Sequence, residues 1–272
     1  MNRAPATAKL NLALVVGSLR DDGRHEVATV LQRIDLADRV SIEPAAELRV
    51  EGFAEDTLVR AALERLAEVA NTDPCWHARI WKQVPVAAGL GGGSSDAATA
   101  LRLANETLAE PLPHERLHEL ASALGADVPF FLTSGPQLGT GTGTELEPLE
   151  LPQDYWVVLL LPHDQRKPST ADVYVGFDRR DGAAGFEERH ARLREALAEA
   201  KRPRDLAALP PNDLAASPHA ERLLEFGAFR ADVSGAGPAV YGLFLHRAQA
   251  AAAERELEAL GRTWITVPTW YG

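Results

Sequence analysis

The sequence has a single cysteine, Cys75, among its 272 residues. One thiol excludes an intramolecular disulfide framework and any cysteine-only metal cage, and it reads as inert. Long apolar runs are missing as well, and none approaches the roughly 20 residues of a membrane-spanning helix. The first residues lack the basic-then-apolar form of a secretory signal, so the cytoplasm is the expected compartment. Positive charge is in deficit: 28 Lys and Arg against 39 Asp and Glu leave a net charge of −11. That balance argues against a broad nucleic-acid or anionic-membrane surface, but not against one nucleotide in a local pocket. The eight histidines show no HExxH or other paired metal-ligand spacing, so no metal site is expected from them. No G-x-S-x-G elbow accompanies the serines, which leaves a serine hydrolase without support. The length, with 46% hydrophobic residues, suits one large or two medium globular domains.

What the sequence does have is glycine concentrated in one place. The stretch "PVAAGLGGGSS" runs Pro85, Val86, Ala87, Ala88, Gly89, Leu90, Gly91, Gly92, Gly93, Ser94, Ser95. Glycine is the poorest ordinary helix former, yet an alanine-leucine helix follows directly, with Ala97, Leu101, Ala104 and Leu108 on one face. Ser95 or Asp96 is the natural N-cap for that helix. Upstream, "ARIWKQVPV" reads as a strand ended by Pro85. Strand, glycine loop and helix N-terminus together form an anion site, because residues without Cβ let amides converge where the helix dipole is positive. A glycine-rich turn serving close packing is the plainer reading. The loop is neither a Walker A sequence nor a dinucleotide fingerprint.

Along the chain, Ala8–Gly17 reads as a strand, with a turn at "RDDGRH" after it. Val27–Ile34 and Arg39–Pro44 fit either strands or short helices. Asp56–Ala70 predicts a helix capped by its aspartate, and Pro113–Leu124 another, stopped by Gly125. "EPLELPQD" looks like a domain joint. Beyond it come a strand at Trp156–Leu161, a charged helix at Glu187–Ala200 and strands at Arg230–Ser234 and Val240–Leu245. A helix at Ala248–Leu260 and a strand at Thr263–Val267 complete the chain. The β-α-β-β-α-β order predicts a split βαβ, ferredoxin-like second half.

Three places offer chemistry beside the loop. Lys9 sits in the strand "AKLNLAL", where a lysine at a strand edge is the alternative reading. Asp127 in "GADVPFFL" follows the helix stop, where a simple turn residue is the alternative; Pro129 biases Val128 towards an extended conformation. "SGAGPAVYG", Ser234–Gly242, is a small-residue turn that lets backbone approach a ligand.

Taken together, these stretches resemble the GHMP kinases, the group of galactokinase, homoserine kinase and mevalonate kinase. "PVAAGLGGGSS" matches that family's phosphate loop throughout. "APATAKLNLAL", "DDGRHEVATVLQRIDLAD", "LGADVPFFL", "STADVY", "NDL" and "VSGAGPAVYGLF" fall in the order and spacing of a member acting on a cytidine diphosphate derivative in the non-mevalonate isoprenoid route. The resemblance implies an α+β, two-domain fold: a ribosomal-S5-like domain over 1–150 and a ferredoxin-like domain over 151–272, the active site between them. It implies ATP as co-substrate with Mg2+, and a monomer or homodimer. Lys9 and Asp127 become the catalytic pair, Asp127 taking the proton of the acceptor hydroxyl. The amides of Gly89–Ser95 hold phosphates, and Asn11, His25, Thr170 and Gly235 contact the acceptor. Arg24 stands where the family has an aromatic residue, and its guanidinium plane can cover the base instead. Thr140 and Thr144 replace an arginine and a glutamate of the family pattern. Other GHMP kinases, of homoserine or mevalonate type, and a catalytically silent nucleotide-binding regulator are the alternatives.

Overall fold

The computed structural model describes residues 2–53, 58–163 and 169–269. It begins with a long antiparallel pair, β1 (Asn2–Leu19) and β2 (His25–Pro44). Leu10, Leu12, Ala13, Val15 and Val16 of β1 are all buried. A strand covered on both faces carries continuous rather than alternating apolar residues. That is why Val27–Ile34 and Arg39–Pro44, ambiguous from local pattern, turn out to be parts of the one strand β2.

The chain continues through β3 (Arg49–Glu51), α1 (Leu58–Ala70), β4 (Trp76–Trp81), α2 (Gly92–Asn105) and α3 (His114–Leu124). A short 3-10 helix, Pro129–Leu132, then leads to β5 (Gln137–Thr140) and β6 (Glu145–Pro148). The sheet runs β3-β4-β2-β5-β6, with β1 paired to β2. Leu63 and Leu66 of α1 and Leu101 of α2 share one core with Ile42 and Ile80 of the sheet. Asp56, expected to cap α1, lies outside the described residues. Val128 corrects the expectation drawn from Pro129: it is helical, at φ −63° and ψ −44°. The following proline stands at the first position of the 3-10 helix, where its missing N–H costs nothing, and the Val128 amide bonds the Gly125 carbonyl at 3.1 Å.

Between Pro148 and Trp156 the chain passes to a second sheet. It is built from β7 (Trp156–Pro162), then α4 (Thr170–Arg179), α5 (Phe186–Glu199), α6 (Pro218–Glu225), β8 (Arg230–Val233), β9 (Val240–Phe244), α7 (Arg247–Leu257) and β10 (Gly261–Thr266). The four strands lie in the order β10-β7-β9-β8 and every neighbouring pair is antiparallel. The split βαβ order holds, with α4, α5 and α6 standing where one helix was expected. The two sheets share a core: Leu10 and Val15 of β1 pack in one cluster with Val157, Leu193 and Tyr241. Among the described residues no helix is long and apolar enough to cross a membrane.

Candidate active site

The glycine loop departs from the capping expected of it. Neither Ser95 nor Asp96 is the N-cap of α2; that position is Gly91, at φ 69°, and it supplies no side-chain cap. The first intrahelical bond joins the Ser95 amide to the Gly91 carbonyl at 2.9 Å. The amides of Gly92, Gly93 and Ser94 therefore precede the helical ladder and project from its positive end. An uncapped helix start leaves its donors for a ligand, and phosphate is the ligand that this arrangement suits. Ser95 itself is withdrawn from such a role, because its amide is used in the helix and its side chain is buried.

Both flanks of the loop are fixed by backbone. The Lys9 amide bonds the Leu90 carbonyl at 2.9 Å, and the Ala239 amide bonds the Ala88 carbonyl at 3.0 Å. The Ser234 hydroxyl donates to the Gly89 carbonyl at 2.9 Å. A Cβ on Gly89 would stand 2.1 Å from the Ser234 carbonyl oxygen, so the two small-residue turns can meet only there with glycine. Asn212, of the "NDL" stretch, ties the second turn down by donating to the carbonyls of Val233 and Gly235 at 2.9 and 2.7 Å.

Beside this cradle opens a cavity of about 810 Å3, a size ordinary for a ligand site. Lys9 and Asp127 both line it, with the ammonium 3.3 Å from the carboxylate. The lysine side chain is 3% exposed and the aspartate 38%. The Lys9 ammonium also donates to Asn11 Oδ1 at 2.5 Å, and Asn11 Nδ2 donates to the Thr29 hydroxyl at 2.8 Å. Lys9 is thus held from behind and directed at a carboxylate that stays open to the cavity. Gly235, at φ 57°, passes over this group; a Cβ there would meet Asn11 Oδ1 at 3.2 Å.

The far end of the cavity is formed by the 23–25 turn and α4, including Arg24, His25, Thr170 and Tyr174. His25 Nε2 lies 2.8 Å from Asp178 Oδ1, and its ring stacks on Tyr174 at a centroid distance of 4.7 Å. Burial and the nearby Asp127 carboxylate push the Tyr174 phenol up to about 12. Arg24 is exposed, and its amide bonds Asp22 Oδ1 at 3.0 Å. Among the expected site residues, Leu90 and Ser95 do not line the cavity. Thr140 and Thr144 lie outside it too, while Thr142 and Gly143 between them form part of the wall.

Sequence reasoning missed a buried ionic group under the loop. Lys82, just past β4, donates to Asp96 Oδ2 at 2.7 Å and also to Asp38 Oδ2. Asp38 Oδ1 accepts the Val84 amide at 2.8 Å. Burial alone would lower the lysine pKa, but the two carboxylates outweigh it and the net direction is upward. The signal was available: an aspartate at the first turns of an otherwise small, apolar helix, and a lysine ending a strand. Their distance in sequence hid the partnership.

The model of the GHMP kinases N terminal domain matches residues 57–135, and that of the GHMP kinases C terminal matches residues 186–263. The chain belongs to the GHMP kinase family. A relative named 4-diphosphocytidyl-2-C-methyl-D-erythritol kinase, from Chlorobium chlorochromatii, is 35% identical over 97% of this chain and 96% of its own. One of the same name from Geobacter sulfurreducens is 36% identical over 96% and 95%. A crystal structure of 4-(cytidine 5'-diphospho)-2C-methyl-D-erythritol kinase superposes with a TM-score of 0.78 at 30% identity, covering 100% of both chains. A mevalonate kinase structure reaches a TM-score of 0.77 at 14% identity over 98% and 99%, which shares the fold.

Proposed function

We propose that this chain is an ATP-dependent kinase that phosphorylates the 2-hydroxyl of 4-diphosphocytidyl-2-C-methyl-D-erythritol in the non-mevalonate isoprenoid route. It acts in the cytoplasm, as a monomer or homodimer, through a first domain over 1–150 and a second over 151–272. The observation that carries the reading is the Lys9–Asp127 pair, 3.3 Å apart, lining the same cavity as Gly92, Gly93 and Ser94. The names of the relatives support the choice of acceptor.

Phosphoryl transfer asks a protein for in-line positioning and charge neutralisation more than for covalent help. The amides of Gly92, Gly93 and Ser94 hold phosphate oxygens at the positive end of α2. Asp127 accepts the proton of the acceptor hydroxyl. The Lys9 ammonium keeps the carboxylate ionised until then and offsets negative charge as it develops. Asn11 fixes the lysine from the rear. The acceptor enters from the 23–25 turn, with Arg24 over the base, His25 and Thr170 beside it and Gly235 against its diphosphate side.

No cluster of three or more His, Cys, Asp or Glu suited to a metal occurs among the described residues. Mg2+ is commonly bound through few protein oxygens, phosphates and water completing its shell. The Ser94 hydroxyl, on the cavity wall, fits that sparse requirement and would hold the ion, which when bound neutralises the phosphate oxygens.

A coupled ADP-release assay over three acceptors tests the reading. Turnover is expected with 4-diphosphocytidyl-2-C-methyl-D-erythritol and not with mevalonate or homoserine. Turnover with one of the latter two instead would replace the acceptor, and turnover with none in a protein that binds ATP would make it a silent nucleotide-binding regulator.

A further inference from the structure

A second, much smaller cavity lies on the other side of the phosphate-loop helix, and the proposed kinase reaction makes no use of it. It measures about 30 Å3 and is lined by Pro5, Thr7, Arg33, Ser95, Thr99 and Arg102, with Phe131 closing it. The Arg33 guanidinium is the notable group there. The residue is 3% exposed. Its Nη2 donates to the carbonyl oxygens of Phe130, at 2.8 Å, and Thr133, and its Nε is buried with no hydrogen-bond partner among the described residues. No carboxylate forms an ion pair with it among the described residues. Arg102, the second arginine on the cavity, pairs at 3.0 Å with Glu106, one helical turn further on and largely exposed.

A buried cation without a counter-charge is costly, and proteins ordinarily pair or neutralise such groups. Burial first, and the neighbouring Arg102 charge second, pull the Arg33 pKa down to about 10. Both causes describe a positive site that an anion would relieve. Hydroxyls of Thr7, Ser95 and Thr99 supply neutral donors around the same space. Its volume exceeds the roughly 10–15 Å3 that one water needs, and so takes one small ion but not a phosphate ester. Pro5 is exposed and Arg102 partly so, which gives the space a mouth to solvent.

We propose that this cavity is a binding site for a single small monovalent anion of chloride size, held between Arg33 and Arg102. It joins β1 through Thr7, β2 through Arg33 and α2 through Ser95 and Thr99. The bound ion therefore stabilises the packing from which Lys9 and the loop are hung, without touching Lys9 or the phosphate-facing amides of Gly92, Gly93 and Ser94.

The test uses the full chain in potassium chloride and in potassium gluconate at equal ionic strength. Chloride is expected to raise Tm saturably, by about 2–4 °C, as a ligand of the native state does. Arg102→Met, a change at the cavity's partly exposed edge, should abolish the difference between the salts; Arg33→Met should do the same if it folds. A crystal grown in potassium bromide should show its anomalous peak between the two guanidinium groups. Equal Tm in both salts, a chloride effect retained by Arg102→Met, or a cavity holding only water in bromide would each overturn the proposal.

Discussion

Lys9 and Lys82 both line the main cavity, one from β1 and one from the end of β4, and their surroundings differ in a single decisive way. The carboxylate facing Lys9 is open, with the Asp127 side chain 38% exposed. Those facing Lys82, on Asp38 and Asp96, are fully buried. An open carboxylate can exchange its partner for a substrate hydroxyl, whereas a sealed one can only hold its lysine in place. The pairs resemble each other as ion pairs and differ as devices. The first is suited to chemistry, and the second clamps the strand end to the helix that carries the loop.

The comparison breaks most visibly at the first pair. Asp127→Asn should lose about 10²- to 10⁴-fold in kcat, the usual contribution of a positioned general base. ATP binding, read by calorimetry, should persist. Lys9→Ala should fall by a similar factor, and the double variant by much less than the product, because the two groups act as a unit. Wild-type turnover in either single variant would remove the pair from the mechanism.

At the second pair the loss should appear in stability. Lys82→Met leaves two carboxylates buried without their cation, and breaking a buried pair from one side costs about 3–5 kcal/mol. Denaturant unfolding reads it as a lower midpoint with little change in m. The pH dependence follows from the raised lysine pKa. A cation whose pKa is higher folded than unfolded stabilises fully below its ordinary value, about 10.4. That contribution is lost as pH rises through the folded value. The alkaline decline of the wild type should be weaker in Lys82→Met, and an unchanged decline would show that the clamp is not what titrates.

The same contrast separates neighbouring glycines. A Cβ on Gly92 would meet Val84 Cγ1 at 3.0 Å and the Lys82 ammonium at 3.4 Å, whereas one on Gly93 would meet nothing within 4 Å among the described residues. Gly93→Val should therefore intrude on the phosphate space alone. Loss of one charge-assisted hydrogen bond, about 1.5–3 kcal/mol, would raise the KM for ATP roughly ten- to a hundred-fold, with Tm nearly unchanged. Gly92→Val should lower Tm as well. Unchanged ATP kinetics in a folded Gly93→Val protein would take the phosphates away from this loop.

These differences explain what could be read from residues alone. The glycine loop, the strand carrying Lys9 and the split βαβ second half announce themselves because their signals are local: glycine spacing, apolar runs, alternating elements. Partnerships across the chain do not. Asp96 looks like a helix cap in sequence, yet it points inward because Gly91 starts the helix earlier and Lys82 waits below. His25 reads as a group facing a ligand, and it does line the cavity. Its partners Asp178 and Tyr174 of α4, however, lie too far along the chain to be paired with it by sequence. Strands β1 and β2 run longer than their local pattern suggests for a related reason. Burial on both faces erases the alternation by which a strand is recognised.

The smallest effect belongs to Arg24. Its neighbour Arg20 is engaged by Glu26, whereas Arg24 lines the cavity and no ion pair or ring contact holds its guanidinium among the described residues. A free arginine plane at the acceptor end can lie on a pyrimidine ring, an interaction of about 0.5–1 kcal/mol at an exposed site. Binding of the base is equal in ground and transition states, so the effect should fall on KM and leave kcat alone. Arg24→Ala is accordingly expected to raise the acceptor KM about two- to five-fold, with the KM for ATP unmoved. Arg24→Tyr should recover most of it, since a ring can cover the same face. Arg20→Ala, with its side chain already committed to Glu26, should change neither constant. If Arg24→Ala and Arg20→Ala behave alike, the exposed arginine is a solvated turn residue, and covering the base passes to Tyr174.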